Sequence, residues 1–248
     1  MREWARRRAP HALVRMARSA SWRLGRISVP TSGLSGTSPL SDVWGLDRGT
    51  PIDIFYLERF LGLHAADIGG RTLETGDARY ARKFGREVTR ADVLHMSSGN
   101  PDATIVGDLI TGAGIPADEF DCVILTNTLL YVFDVPAALA TCHRALRVGG
   151  VLLAHFNGLV RGQVSPRPWG PAGWEGEADY WRFTSASARR LCAERFGEGA
   201  ADVIAYGNVR SVTASLYGLA AEELTSSELD PVDSRFELVI CARAVRRA

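Results

Sequence analysis

Lysine is almost missing from this chain: of its 29 basic residues only Lys83 is lysine. Together with the many alanines and glycines, this resembles the bias expected of a GC-rich bacterial coding sequence. Cysteine is sparse too. Cys122, Cys142, Cys192 and Cys241 are all at least 20 residues apart, so no CxxC pair exists. That excludes a zinc ribbon and a thioredoxin-like redox motif, and it reads as buried, reduced thiols in a reducing, cytoplasmic compartment. The histidines (His11, His64, His95, His143 and His155) show no HxxxH or similar spacing, and no metal centre is expected. No apolar run approaches the ~18 residues of a membrane span. The net charge of +1 supplies no field toward nucleic acid.

What is present divides into zones. Residues 1–26 carry eight arginines and one acid, a local +7 that leaves −6 for the remainder. This start lacks the 7–15-residue apolar stretch of a secretory signal. Trp4, Leu13, Met16 and Trp22 share part of one helical face. Three readings stay open for the arm: a solvated tail, docking on an acidic partner or on its own body, and contact with an anionic membrane without stable insertion. Docking on its own domain or on a second subunit, partly covering an acceptor pocket, is the expectation. Residues 27–42 are rich in Ser, Thr, Gly and Pro and read as a linker. The expected division is therefore 1–42 as arm and linker, and 43–248 as one α/β domain.

From Val43 onward, strand and helix signals alternate. A helix is expected over 52–62. Strands are expected at 71–74, 88–95, 103–106, 122–125, 151–156, 202–206 and 236–242. Helices are expected at 136–147, with Pro136 in the first turn and Gly149 past the end, and at 185–196 with Thr184 as N-cap. This rhythm predicts a mostly parallel sheet covered on both faces, with ligands at the carboxyl ends of the strands.

The loops at those ends hold the chemistry. Leu73-Glu74-Thr75-Gly76-Asp77-Ala78 places an acid at a strand end and then a glycine that lets backbone approach a ligand. Asp108 follows the third strand, where a carboxylate can accept from an exocyclic amine. The longest motif runs from Phe120-Asp121-Cys122-Val123-Ile124-Leu125 through Asn127 and the helix to Arg144-Ala145-Leu146-Arg147-Val148-Gly149-Gly150-Val151. Gly112-Ala113-Gly114-Ile115-Pro116-Ala117 fits the dinucleotide pattern GxGxxG/A, but no crossover helix fits before the strand at Cys122, so it reads as a loop.

The long motif resembles the later half of the class I S-adenosylmethionine (SAM)-dependent methyltransferase domain, a Rossmann-like sheet whose last strand is antiparallel. Trp44-Gly45-Leu46-Asp47-Arg48, Asp92–His95, Ala103–Leu109 and Trp181–Thr184 extend the likeness to a bacterial subgroup associated with glycosyltransferases and natural-product clusters. The resemblance covers roughly residues 43–244. It implies SAM as cofactor. Glu74, Gly76 and the adjacent Asp77 would face its methionine part, Asp92 its ribose, and Asp108 with Leu109 its adenine, while Asn127 would face the sulfonium and acceptor. Arg48 is expected to pair with the SAM carboxylate, Glu74 or Asp47. The family's second glycine of the first motif is Ala78 here. For a hydroxyl acceptor, His155 is the first candidate base, with Tyr131 and Tyr180 behind it. The expected activity is O- or N-methylation of a small-molecule acceptor, a sugar or natural-product scaffold, with a homodimer possible. The alternative is a SAM-binding relative that no longer methylates.

Overall fold

The structure, a computed structural model, describes residues 37–162 and 179–248. The basic arm and most of the linker read from the sequence lie outside the described residues. The chain divides into two compact units. One comprises the segment up to Tyr56 with Gly207–Phe236; the other comprises Leu57–Tyr206 with Glu237–Ala248.

The larger unit is built on a seven-stranded sheet: β1 (Gly70–Thr75), β2 (Val88–His95), β3 (Ile105–Val106), β4 (Phe120–Leu125), β5 (Leu146–Asn157), β6 (Ala201–Tyr206) and β7 (Val239–Val245). The spatial order is β3-β2-β1-β4-β5-β7-β6. All neighbours are parallel except β7, which runs antiparallel to β5 and β6. This is the Rossmann-like architecture expected from the sequence. The order reverses between β1 and β4, so the crevice beyond their carboxyl ends is where such a sheet binds ligands.

Helix α1 (Ile52–Leu63) precedes the sheet. Between the strands lie α2 (Arg79–Phe84), α3 (Val135–Ala145) and α4 (Ser185–Phe196). One sheet face is closed by α3 and α4. Ala138, Leu139 and Cys142 from α3, with Ala188, Cys192 and Phe196 from α4, pack against Leu73, Val123, Leu125, Leu152, Phe156 and Ile240. Both helices start on caps. The Asp134 side chain accepts from the Ala137 N–H, and Thr184 and Ser187 form a reciprocal capping box. All four cysteines are buried and free.

Several boundaries differ from expectation. The helix after β4 ends at Ala145, because Leu146 pairs with Phe120 and begins β5 five residues early. The last strand starts at Val239, where its ladder with Asn157 begins. β3 is only two residues long, because the Thr104 side chain turns back to accept from Val93 N–H and donate to Asp92.

The smaller unit carries α5 (Val209–Tyr217) and α6 (Ser226–Leu229). Pro51 bridges Ala220, and the Tyr56 hydroxyl donates to Leu229 O at 2.6 Å. No helix of the described residues is long and apolar enough to cross a membrane.

Candidate functional site

β1 ends in Thr75, and the chain then turns at Gly76, whose φ is +84°. A side chain there would be conformationally strained. An added Cβ would meet nothing within 4 Å, so open space lies directly over this backbone. The Gly76 N–H continues the ladder to Leu94 O at 3.0 Å, and Asn100 Nδ2 donates to Gly76 O at 2.7 Å. The turn is thus fastened to β2 through its N–H and to the loop after β2 through its carbonyl.

Two carboxylates flank that turn. Glu74, only 1% exposed, accepts from the Tyr80 N–H at 3.1 Å and the Ala81 N–H at 2.8 Å. Burial raises its pKa to about 7 against those same hydrogen bonds. Asp77 accepts from the Arg79 N–H at 2.8 Å. The free donors at the start of α2 are therefore taken by carboxylates. Ala78 lies buried just before α2, in the position of the missing glycine.

Beyond β4, Asn127 adopts a left-handed φ of +48°, a conformation asparagine tolerates better than most residues. Its Oδ1 accepts from Asn157 Nδ2 at 3.2 Å. Thr128 next to it shares a 2.8 Å hydrogen bond with Thr75. The ends of β1, β4 and β5 are so drawn together by Thr75, Thr128, Asn127 and Asn157. Asn157 is 2% exposed, and its Oδ1 meets no partner.

The segment after the undescribed residues 163–178 crosses the same end of the sheet. Tyr180 N–H donates to Leu130 O, Trp181 Nε1 to Val132 O, and Phe183 N–H to Asn157 O, at 2.8, 3.0 and 2.8 Å. Tyr131 lies on the 3₁₀ turn Leu129–Tyr131, next to Leu130, whose carbonyl accepts from the Tyr180 N–H. Beside them an open, apolar groove of about 710 Å³ is walled by Phe133, Val135, Trp181, Phe183 and Leu191. The Phe133 ring stands edge-on to Tyr180, with centroids 5.3 Å apart.

Other expected site residues have different roles. Asp92 sits three residues inside β2, 1% exposed, and its carboxylate is taken by Arg71, Arg90 and Thr104. Burial raises its pKa, but those three donors outweigh it and hold the group below the usual carboxylate range. A ribose hydroxyl finds no free oxygen there. His155 is not at the rim: it is fully buried on β5 opposite Cys241, with neither ring nitrogen partnered. Burial lowers its pKa to about 4, which suits a neutral core residue and not a base in contact with an acceptor.

Arg48 is bound by both oxygens of Glu223, and Asp47 acts on it electrostatically. Asp108 accepts from the Ile110 N–H at 2.7 Å and the Thr111 hydroxyl at 3.1 Å, shaping its own loop, while Leu109 joins the core. The Gly112–Ala117 segment is turn and loop, as expected.

Sequence reasoning passed over His95. It is the last residue of β2 and 7% exposed. Its Nδ1 lies 2.9 Å from Ser97 O and 3.2 Å from Ser97 N, and its buried Nε2 has no partner among the described residues. The available signal was its place, about 20 residues after the turn glycine at the end of the second strand.

Residues 68–154 match the family described as "Methyltransferase domain". No curated protein sequence matches the chain. Among solved structures, a SAM-dependent methyltransferase from Mesorhizobium loti is 17% identical with TM-score 0.46, over 79% of this chain and 98% of that one. YcgJ from Bacillus subtilis is 13% identical with TM-score 0.44, over 77% and 99%. The CMeT domain of the citrinin polyketide synthase is 15% identical with TM-score 0.49, over 83% and 55%.

Proposed function

We propose that this chain, whose residues 68–154 match the methyltransferase-domain family, transfers the methyl group of SAM to a small-molecule acceptor. The observation that carries the reading is the pair Glu74 and Asp77 at the turn after β1. They occupy the N–H groups of Tyr80, Ala81 and Arg79 that a phosphate-bearing cofactor would need. The Asp77 carboxylate at this turn disfavours a diphosphate and favours a cationic ligand, and SAM carries both an ammonium and a sulfonium. The open space over Gly76 accommodates its close approach.

When bound, SAM supplies an activated methyl carbon. The chain's part is to align the acceptor with it, which is where most of the rate gain in such a displacement arises. Asn127 and Asn157, joined amide to amide at the ends of β4 and β5, are suited to orient an acceptor N–H or O–H. Tyr131 and Tyr180 are the candidate proton acceptors; an amine acceptor needs little help from either. The groove walled by Phe133, Trp181 and Phe183 has the size of a pocket for one drug-sized molecule. Its aromatic lining suits the apolar face of a sugar ring or natural-product scaffold. O- or N-methylation of such a scaffold is the reaction we infer.

Calorimetry with S-adenosylhomocysteine (SAH), SAM and NAD tests the cofactor assignment. Micromolar-range binding of the first two and none of NAD is expected; preference for NAD would reverse the reading. The burial of His155 favours one second reading, a relative that binds SAM without methylating. Label transfer from radioactive SAM to any acceptor in a panel of sugars, amines and phenols excludes it.

A further inference from the structure

β6 (Ala201–Tyr206) closes the sheet on one side, and β7 is its one strand neighbour. The ladder between them fixes where the backbone of β6 points. Val245 N–H donates to Ala200 O, so Ala200 faces β7, and residues two apart repeat that direction in an antiparallel ladder. Asp202, Ile204 and Tyr206 therefore turn their N–H and C=O groups to β7. Those of Ala201, Val203 and Ala205 point outward, and they meet no partner among the described residues. Three N–H and three C=O groups thus line one edge. We propose that this edge is a dimer interface, and that it pairs antiparallel with β6 of a second copy of the chain. Pairing of this kind is independent of the cofactor reading above.

β6 lacks the devices that keep an edge strand single. Ala201–Tyr206 holds no proline, lysine or arginine, and its register with β7 runs without a shift. Its one acid, Asp202, stands across the ladder from Arg243 and acts on it electrostatically. The opposite margin of the sheet differs, because β3 is two residues long and offers little to pair with. The two faces of β6 agree with an edge position. Ala201, Val203 and Ala205 pack toward the core under α3 and α4, while Asp202 and Ile204 are exposed on the other face.

The strand is complementary to itself in one register. A twofold axis at Val203 sets Val203 opposite Val203 of the second copy, and Ala201 opposite Ala205. Each of these three opposed pairs exchanges two hydrogen bonds, so every outward N–H and C=O group of both strands is satisfied. The same register sets each Asp202 opposite an Ile204, which keeps the two carboxylates from facing each other. A slide of two residues one way would set Asp202 against Asp202. A slide the other way would set Ala201 against Gly207, whose carbonyl already accepts from the Asp233 N–H. In the favoured register two seven-stranded sheets join into one, with α4 of both copies on the same face.

Sedimentation equilibrium on the full chain, with residue-resolved amide hydrogen exchange by NMR, tests the interface. A monomer–dimer equilibrium is expected. The amides of Ala201, Val203 and Ala205 should be protected in the dimer and lose that protection on dilution, while those of Asp202, Ile204 and Tyr206 stay protected throughout. Val203→Pro removes an outward N–H that the monomer does not use, so the pairing with β7 should survive while dimer affinity falls at least about tenfold. Ile204→Lys places a lysine on the exposed face of the edge without altering the backbone, and should weaken the dimer comparably. It decides the matter if Val203→Pro fails to fold. A dimer that the folded variants leave intact overturns the proposal. So does a chain that stays monomeric at every concentration: its three outward amides would then be protected if another segment of the same chain covers the edge, and unprotected if nothing does.

Discussion

Glu74 is a carboxylate kept from water but given only two backbone donors, and the balance raises its pKa to about 7. A carboxyl in the unfolded chain titrates near 4.3. Between those values the folded state holds a proton that the unfolded state has lost. Stability from this group therefore falls as pH rises from about 4.3 to 7, and is level above. Glu74→Gln removes the titration. The stability of the unaltered protein minus that of the variant should decline by up to about 3 kcal/mol across that window. Denaturant unfolding at pH 5, 6 and 7.5 measures it, and a constant difference would contradict the assignment.

Asp92 behaves oppositely. Its donors Arg71, Arg90 and Thr104 make it part of the sheet's framework. Asp92→Ala leaves Arg71 without its innermost partner and should cost about 3–5 kcal/mol, the range for a broken buried pair. Because no free oxygen faces the crevice, SAH affinity of the folded variant should stay within about twofold by calorimetry. A large loss of affinity with little loss of stability would return Asp92 to the ribose.

Among the elements, α5 begins at Asn208, whose Oδ1 accepts from Arg210 and Ser211 and whose Nδ2 donates to Glu228 O and Pro231 O. It ends on Gly218 in the left-handed conformation. Asn208→Ala removes the cap and both tethers to the following segment. About 1–2 kcal/mol should be lost, a melting-point drop of roughly 2–8 °C in calorimetric scans. Both terminal signals stand in the sequence, yet the helix was not foreseen. Val209, Val212 and Thr213 between them weaken its local propensity, and packing decides it. α2 was missed for another reason: at six residues it is too short to show a period, and Glu74 holds its start from another element.

The strands were more legible, since runs such as Cys122–Leu125 and Val151–Phe156 are buried on both faces and need no partner to be recognised. The turns at the strand ends were legible where position alone defines them, as at Gly76 after β1 and Asn127 after β4. Whether Asp92, His155 or His95 faces the crevice depends on strand register and on which donors lie across the sheet, and neither is written in the local sequence.

For the whole molecule, the reading can be checked without knowing the acceptor. The proposed cofactor contacts draw on β1 and β4 together, so a bound ligand stabilises the sheet as a unit and only in its folded form. At a concentration about 100 times its dissociation constant, SAH should add about 2.7 kcal/mol to stability. For a chain of this length that is a rise of roughly 5–11 °C in melting temperature. NAD at the same concentration should give none, because the acidic turn at Glu74 and Asp77 leaves no donors for its diphosphate. The Gly76→Ala variant discriminates further. Its Cβ clashes with nothing in the protein, so its loss of stability should be confined to the strained backbone, about 1–2 kcal/mol. The same methyl group stands in the space assigned to SAH, so the ligand-induced rise should shrink well beyond that loss. A variant that melts lower but keeps the full SAH-induced rise would place the cofactor away from this turn.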